Sequence, residues 1–215
     1  MDGPAGAGKG TVAKLLADSL GYLYVDTGAM YRALALKVLR SGVSPEDDQA
    51  VAALATQTEV RLQRGPTGDT QVFLDGVDVT QEIRTLEVTA IVSRVSAVPV
   101  LRQYMVDQQR SMARQGGVVM EGRDIGSYVL PDADLKLYVT ATLEERARRR
   151  QEQLARSGQE IPLEDLIADI ARRDEADMNK GANSLVILPE SVYIDTTGKS
   201  IDQVVSEILS HCRRL

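Results

Sequence analysis

Gly3-Pro4-Ala5-Gly6-Ala7-Gly8-Lys9-Gly10-Thr11 opens the chain with a composition suited to holding phosphate. Glycines let backbone N–H groups approach phosphate oxygens in conformations that a Cβ would obstruct. A helix starting near Lys9 adds the positive end of its dipole. Lys9 can reach the β- and γ-phosphates of a nucleotide, and the Thr11 hydroxyl is the best metal ligand for a Mg²⁺ ion, with Asp26 as a water-mediated second. The bland alternative is a flexible Gly/Ala-rich terminus. Spacing, lysine and the amphipathic segment that follows all agree instead with a phosphate loop.

Further along stand Asp26-Thr27-Gly28-Ala29-Met30-Tyr31-Arg32, then Ser93, Arg102, Gly122-Arg123-Asp124 and Arg172-Arg173-Asp174-Glu175-Ala176-Asp177. Any one of these arginines alone reads as a surface ion pair. Beside a phosphate loop they read as a second anion site. Arg32 sits one helical turn beyond a Thr-Gly turn, and Arg123-Asp124 ends an apolar run. In open α/β sheets the carboxyl ends of strands face the ligand crevice. Arg146, Arg148, Arg149 and Arg150 form the densest basic run. They make either a solvated helix face paired with Glu144 and Glu145, or a face from which one or two reach phosphates.

The elements that must position these groups alternate. Val12, Leu15, Leu16 and Leu20 repeat at helical spacing, with Gly21 as a stop. Ser44-Pro45-Glu46-Asp47 reads as a capped helix start, and Thr142–Glu145 and Ser200–Gln203 as capping boxes. Leu163, Leu166, Ile167 and Ile170 make one apolar stripe; Ile201, Val204, Val205 and Ile208 make another. Tyr22–Val25, Gly117–Met120, Leu135–Val139 and Val192–Ile194 read as buried strands. This alternation predicts an α/β fold with a parallel sheet flanked by helices. Val60–Arg64 and Gln71–Leu74 around Gly65–Asp69 predict a β-hairpin, with a further short strand after Gly76. That makes a small antiparallel insertion over about residues 56–82. Arg156–Glu160 reads as the loop of a lid. Only Met1 and Asp2 precede the phosphate loop. The supporting first strand is therefore expected to be missing, and Met1 to be an internal methionine of a longer chain.

The 215 residues suit one sizeable core, and 43% apolar with 26% charged residues is ordinary for a globular protein. A net charge of −6, no Trp and one Phe argue against a nucleic-acid partner. No apolar run approaches the roughly 18 residues needed to span a bilayer. A lone cysteine, Cys212, fits a reducing cytoplasmic setting. Cys212 and His211, the single histidine, read as structural or surface groups rather than chemical ones. Tyr22, Tyr24 and Tyr138 are expected in the core.

Taken together the chain resembles the bacterial cytidylate kinases, a group of phosphate-loop nucleoside monophosphate kinases. The resemblance rests on the opening loop with its Gly-Lys-Gly-Thr variant, on Asp26–Arg32, on Glu121–Gly126, on Glu144–Ala147 with the arginines that follow, and on Arg172–Asp174. It implies a kinase core over about residues 1–35, 115–150 and 186–215. A monophosphate-binding insertion would span about 36–114, and a lid about 151–185. The implied reaction is ATP + CMP ⇌ ADP + CDP, with Mg²⁺ and with dCMP as second substrate, carried out by a monomer. By resemblance Ser93, Arg102 and Asp124 recognise cytosine, Arg32 and Arg123 hold the acceptor phosphate, and Arg173 and Asp177 contact the ribose. Thr27 keeps a hydroxyl where the family often has Ser. Lys180 stands where a phosphate-binding Arg is usual, which keeps the charge and loses the planar fork. Asn183-Ser184-Leu185 departs from a Pro-Leu ending. The alternatives are a kinase of the same fold acting on UMP or another small phosphate acceptor, and a nucleotide-binding module without turnover.

Overall fold

The computed structural model describes residues 1–65, 70–156, 158–179 and 184–212. In chain order the elements are α1 (Lys9–Leu20), β1 (Leu23–Asp26), α2 (Thr27–Arg40), α3 (Asp48–Thr56), β2 (Val60–Arg64), β3 (Thr70–Leu74) and β4 (Val77–Asp78). Next come α4 (Leu86–Val95), α5 (Pro99–Ala113), β5 (Val118–Glu121), β6 (Leu137–Thr140), α6 (Leu143–Arg156), α7 (Leu163–Met178), β7 (Val192–Asp195) and α8 (Ile201–Cys212). The chain divides into two compact units, Met1–Leu23 with Val119–Leu215, and Tyr24–Val118.

The first unit is built on parallel strands. β6 and β7 pair from Leu137 opposite Val192 to Thr140 opposite Asp195. Met1 and Asp2, expected to leave the loop without a strand beneath it, lie between β5 and β6 instead. Gly122 N donates to Met1 O at 3.0 Å, Asp2 N to Leu137 O at 2.8 Å and Val139 N to Asp2 O at 2.8 Å. Two residues thus carry ladder bonds on both sides. The strands being parallel, Gly3, Gly122, Ala141 and Thr196 emerge at one edge, their carboxyl ends.

α1 packs on α8, burying Val12 and Leu16, and ends at Gly21 as expected. α6 and α7 close on Ala147, Leu154, Leu166 and Ile170. The α6 cap is Thr142, whose hydroxyl accepts from Glu145 N. At α8 the box is reciprocal: Gln203 N donates to Ser200 Oγ and Ser200 N to Gln203 Oε1. Tyr138 is buried and stacks on Tyr193. Tyr22, expected in the core, is 45% exposed.

In the second unit Asp26 caps α2 through Ala29 N, so Thr27-Gly28 is the first turn of that helix rather than a separate turn. β2 and β3 form the expected hairpin, and β4 adds the short third strand. Its tip, Pro66–Asp69, lies outside the described residues. α3 starts later than the Ser44-Pro45 pattern implies. Ser44 O accepts from Asp47 N in a turn, and Asp47 is the cap, accepting from Ala50 N. A carboxylate three residues further on, directly before the apolar helix, wins the cap from the serine. α2 packs against α3, α4 and the hairpin, burying Met30, Ala33, Leu34 and Val38.

Candidate active site

In the first unit the phosphate loop springs from the sheet at Gly3. There φ is +149°, and a Cβ would overlap the Val139 carbonyl oxygen. Gly8, at φ +85°, supplies the left-handed turn into α1. Gly3→Ala should therefore push the loop off β6, breaking the two bonds that hold Asp2 there. We expect a destabilisation above about 4 kcal/mol, and a thermal midpoint lower by roughly 10 °C or more. An unchanged midpoint in scanning calorimetry would contradict this reading of the close approach.

Lys9 is 5% exposed, and its ammonium donates to Pro4 O at 2.8 Å. Burial, then the positive Arg123, bring its pKa down to about 7, against the opposing pull of Glu121 and Asp2. Arg173 is also pushed down, by burial first and Arg123 second. A buried ammonium thus lies near two partly buried guanidinium groups, a concentration of positive charge that a polyanion would offset. Arg123 is fixed by Asp177, Nε to Oδ2 at 2.7 Å, and donates to Gly122 O. The structure thus brings Lys9, Arg123, Arg173 and Asp177 together in one unit. Asp124 follows at the end of the same β5 edge and is buried.

Gly122–Asp124 is anchored by a residue that sequence reasoning passed over. Both carboxylate oxygens of Asp2 accept backbone bonds at 2.8 Å, from Ile125 N and Gly126 N. Beyond it, Ile125–Val129 winds as a π-turn, a form common at functional sites. Of the basic run, Arg146 is buried and donates to Ala141 O, Ala5 O and Asp174 Oδ2. Arg148 is exposed and pairs with Glu145, and Arg150 bonds Gln153. Arg149 bonds Glu145 and both the hydroxyl and carbonyl oxygens of Thr196.

In the second unit Arg32 donates to Ile83 O at 3.1 Å and Thr89 Oγ1 at 2.8 Å. The Thr89 hydroxyl gives its proton to Thr85 O, which leaves it an acceptor for the guanidinium. Ser93 lies one turn further along α4, on the face of Thr89. Through Thr89, Arg32 is thereby tied to the α4 face that carries Ser93; Arg102 lies on α5 and Thr27 in the first turn of α2. Lys180, and Asn183 of the divergent segment, lie outside the described residues.

The Thr11 hydroxyl stands exposed in the first turn of α1. Asp26 spends one carboxylate oxygen on its helix cap. Among the described residues no three His, Cys, Asp or Glu side chains converge. A single exposed hydroxyl suits an ion that arrives on a nucleotide and keeps its waters.

A family model described as cytidylate kinase matches residues 1–214. The chain belongs to the cytidylate kinase family. A cytidylate kinase of Symbiobacterium thermophilum is 66% identical over 214 residues, covering 100% of this chain and 95% of that protein. That of Desulfitobacterium hafniense is 49% identical over 210 residues, covering 98% and 90%. That of Geobacter sulfurreducens is 46% identical over 213 residues, covering 99% and 91%. Beyond the family motifs, sequence reasoning missed Asp2, Thr89 and Thr196. Each acts on a residue distant in sequence or through the backbone. For Asp2 and Thr196 the signal was a polar residue at a strand end beside Gly or Thr; Thr89 sits inside α4.

Proposed function

We propose that this cytidylate kinase family member transfers the γ-phosphoryl group of ATP to CMP and dCMP, in the cytoplasm and as a monomer. The observation that carries the reading is the buried Lys9 with the partly buried Arg123 and Arg173 close to it, at the strand edge that also bears the phosphate loop. Gly3–Thr11 holds the donor phosphates, with Lys9 on the β- and γ-phosphates. Arg32 and Arg123 hold the acceptor phosphate, joined by Lys180. Arg173 and Asp177 contact the ribose, and Thr27 adds a hydroxyl on the acceptor. Asp124 accepts from the cytosine amino group, while Arg102 and Ser93 donate to its ring acceptors. Uracil, with an oxygen in place of the amino group, would face the Asp124 carboxylate with a second acceptor. An acceptor phosphate oxygen attacks the γ-phosphorus and ADP leaves. That oxygen is already anionic, so positioning and charge stabilisation suffice. Thr11 would hold Mg²⁺, whose chemistry there is to neutralise charge on the transferred phosphoryl group. The lid, about residues 151–185, keeps water from the donor.

Lys9 gives this site a pH signature. In the free protein its ammonium persists below about pH 7 and is lost as pH rises through that value. A bound polyphosphate favours the charged form and raises the pKa. ATP affinity is therefore full below neutrality and falls by up to about tenfold per pH unit above it, until the bound-state pKa is reached. Calorimetry at about pH 8 in buffers of different ionisation enthalpy should register proton uptake on ATP binding, absent in Lys9→Met. Buffer-independent heats in the wild type would contradict it.

The functional reading is tested by titrating ATP and CMP separately and following ADP formation with both present. Both should bind, and ADP should form on CMP addition. Binding without ADP formation would leave only a nucleotide-binding module.

A further inference from the structure

A loop that aims N–H groups at phosphate must dispose of its carbonyls, and here four of them each meet a donor. Gly8 O accepts from Val12 N at 3.1 Å, in the first turn of α1. Pro4 O accepts from Lys9, and Ala5 O from Arg146 at 3.1 Å. The Ala7 carbonyl is met from beneath by the hydroxyl of Thr196, at 3.2 Å. A trans peptide points its N–H opposite its C=O. Holding Ala7 O down therefore turns the Gly8 N–H outward.

Thr196 follows β7 at the strand edge, belongs to neither the loop nor the arginine run, and is 2% exposed. Its surroundings define the direction of its proton. Arg149 donates Nη1 to Thr196 Oγ1 at 2.9 Å and Nη2 to Thr196 O at 2.8 Å. A hydroxyl that accepts from a cation has its single hydrogen left for acceptors, and Ala7 O and Thr140 O share it at 3.2 and 3.0 Å. The incoming charge polarises the outgoing bond and strengthens it. Arg149 is itself held by Glu145, Nε to Oε1 at 2.9 Å, and a Cβ on Gly8 would stand 3.6 Å from its Nη1.

We propose that Thr196 is a positioning residue for the phosphate donor, its hydroxyl pinning the Ala7 carbonyl so that the Gly8 N–H faces phosphate. Glu145 and Arg149 orient that hydroxyl. The proposal rests on assigning the loop to ATP. It accounts for one of the basic-run arginines without any contact to nucleotide: Arg149 acts through Thr196.

The test compares wild type, Thr196→Val, Thr196→Ser and Arg149→Gln, measuring KM for ATP and CMP separately and binding of inorganic triphosphate by calorimetry. Thr196→Val should raise KM for ATP about tenfold and weaken triphosphate alike, leaving KM for CMP unchanged. Thr196→Ser should restore both. Arg149→Gln should give a smaller rise of about threefold, and the double variant should be no worse than Thr196→Val. Should Thr196→Val fail to fold, Arg149→Gln with an unchanged KM for ATP overturns the proposal. So does a folded Thr196→Val with wild-type ATP affinity, or with ATP and CMP weakened equally, as a purely structural role would give. Additive effects in the double variant also overturn it, because Arg149 would then act separately. A wild type that binds CMP but neither ATP nor triphosphate overturns the loop assignment and the proposal with it.

Discussion

Replacing Lys9 with methionine should lower kcat by roughly 10²–10³-fold, the range seen when a preorganised charge facing the transition state is removed. The substitution keeps the unbranched shape and removes one positive charge. In the free protein that charge is poorly solvated, lies near Arg123 and Arg173, and rests on Pro4 O. A buried ammonium among like charges does not favour folding. The thermal midpoint of Lys9→Met should therefore hold or rise, although Pro4 O loses a donor. Activity and stability should move apart, and that split separates a catalytic lysine from a packing one. Steady-state rates beside a melting curve read both. A kcat within about fivefold of wild type would remove Lys9 from the chemistry.

The second large effect is expected at Asp2, which touches no substrate in this account. Asp2→Ala strips the Ile125 and Gly126 amides of their buried acceptor. Each stranded amide costs about 1–3 kcal/mol, so the loss should be roughly 2–6 kcal/mol and lower the thermal midpoint by about 5–20 °C. Asn is a poor rescue, because an amide offers one acceptor oxygen and turns its NH₂ against the other N–H. The π-turn holds Arg123 and Asp124 in place, so KM for CMP should rise more than KM for ATP. Asp2 also raises the Lys9 pKa, so its removal should shift the alkaline loss of ATP affinity to lower pH. Chemical denaturation and paired KM values test this. An Asp2→Ala protein of wild-type stability would contradict the anchoring role.

What was legible in the sequence follows from how local each feature is. The phosphate loop, the hairpin, the stop at Gly21 and the Ser200–Gln203 box each depend on residues within a few positions, and the structure has all four. Strand positions were read from apolar runs and shifted by one or two residues, because strand ends are set by ladder partners. β6 begins at Leu137 rather than Leu135, and β1 runs on to Asp26. α4 and α5 were not foreseen. Both carried local marks that went unread: the Thr85 cap on Val88 N with Val88, Val92 and Val95 at helical spacing, and Pro99 at the start of α5 with Leu101, Met105 and Val106 behind it. Most opaque were bonds across long separations. Asp2 reaches Ile125, Thr196 reaches Ala7, and Arg146 reaches Ala5, and nothing in the intervening chain encodes these meetings. A two-residue strand segment is likewise invisible to periodicity, which needs more residues than Met1 and Asp2 provide.

The most direct measurement is an acceptor screen with ATP and Mg²⁺ in which CMP, dCMP, UMP, dTMP and AMP are offered at equal concentration and ADP formation is followed. Asp124, Arg102 and Ser93 predict that CMP and dCMP are phosphorylated fastest. UMP or AMP outrunning CMP would contradict the cytosine assignment, and with it the account of this site.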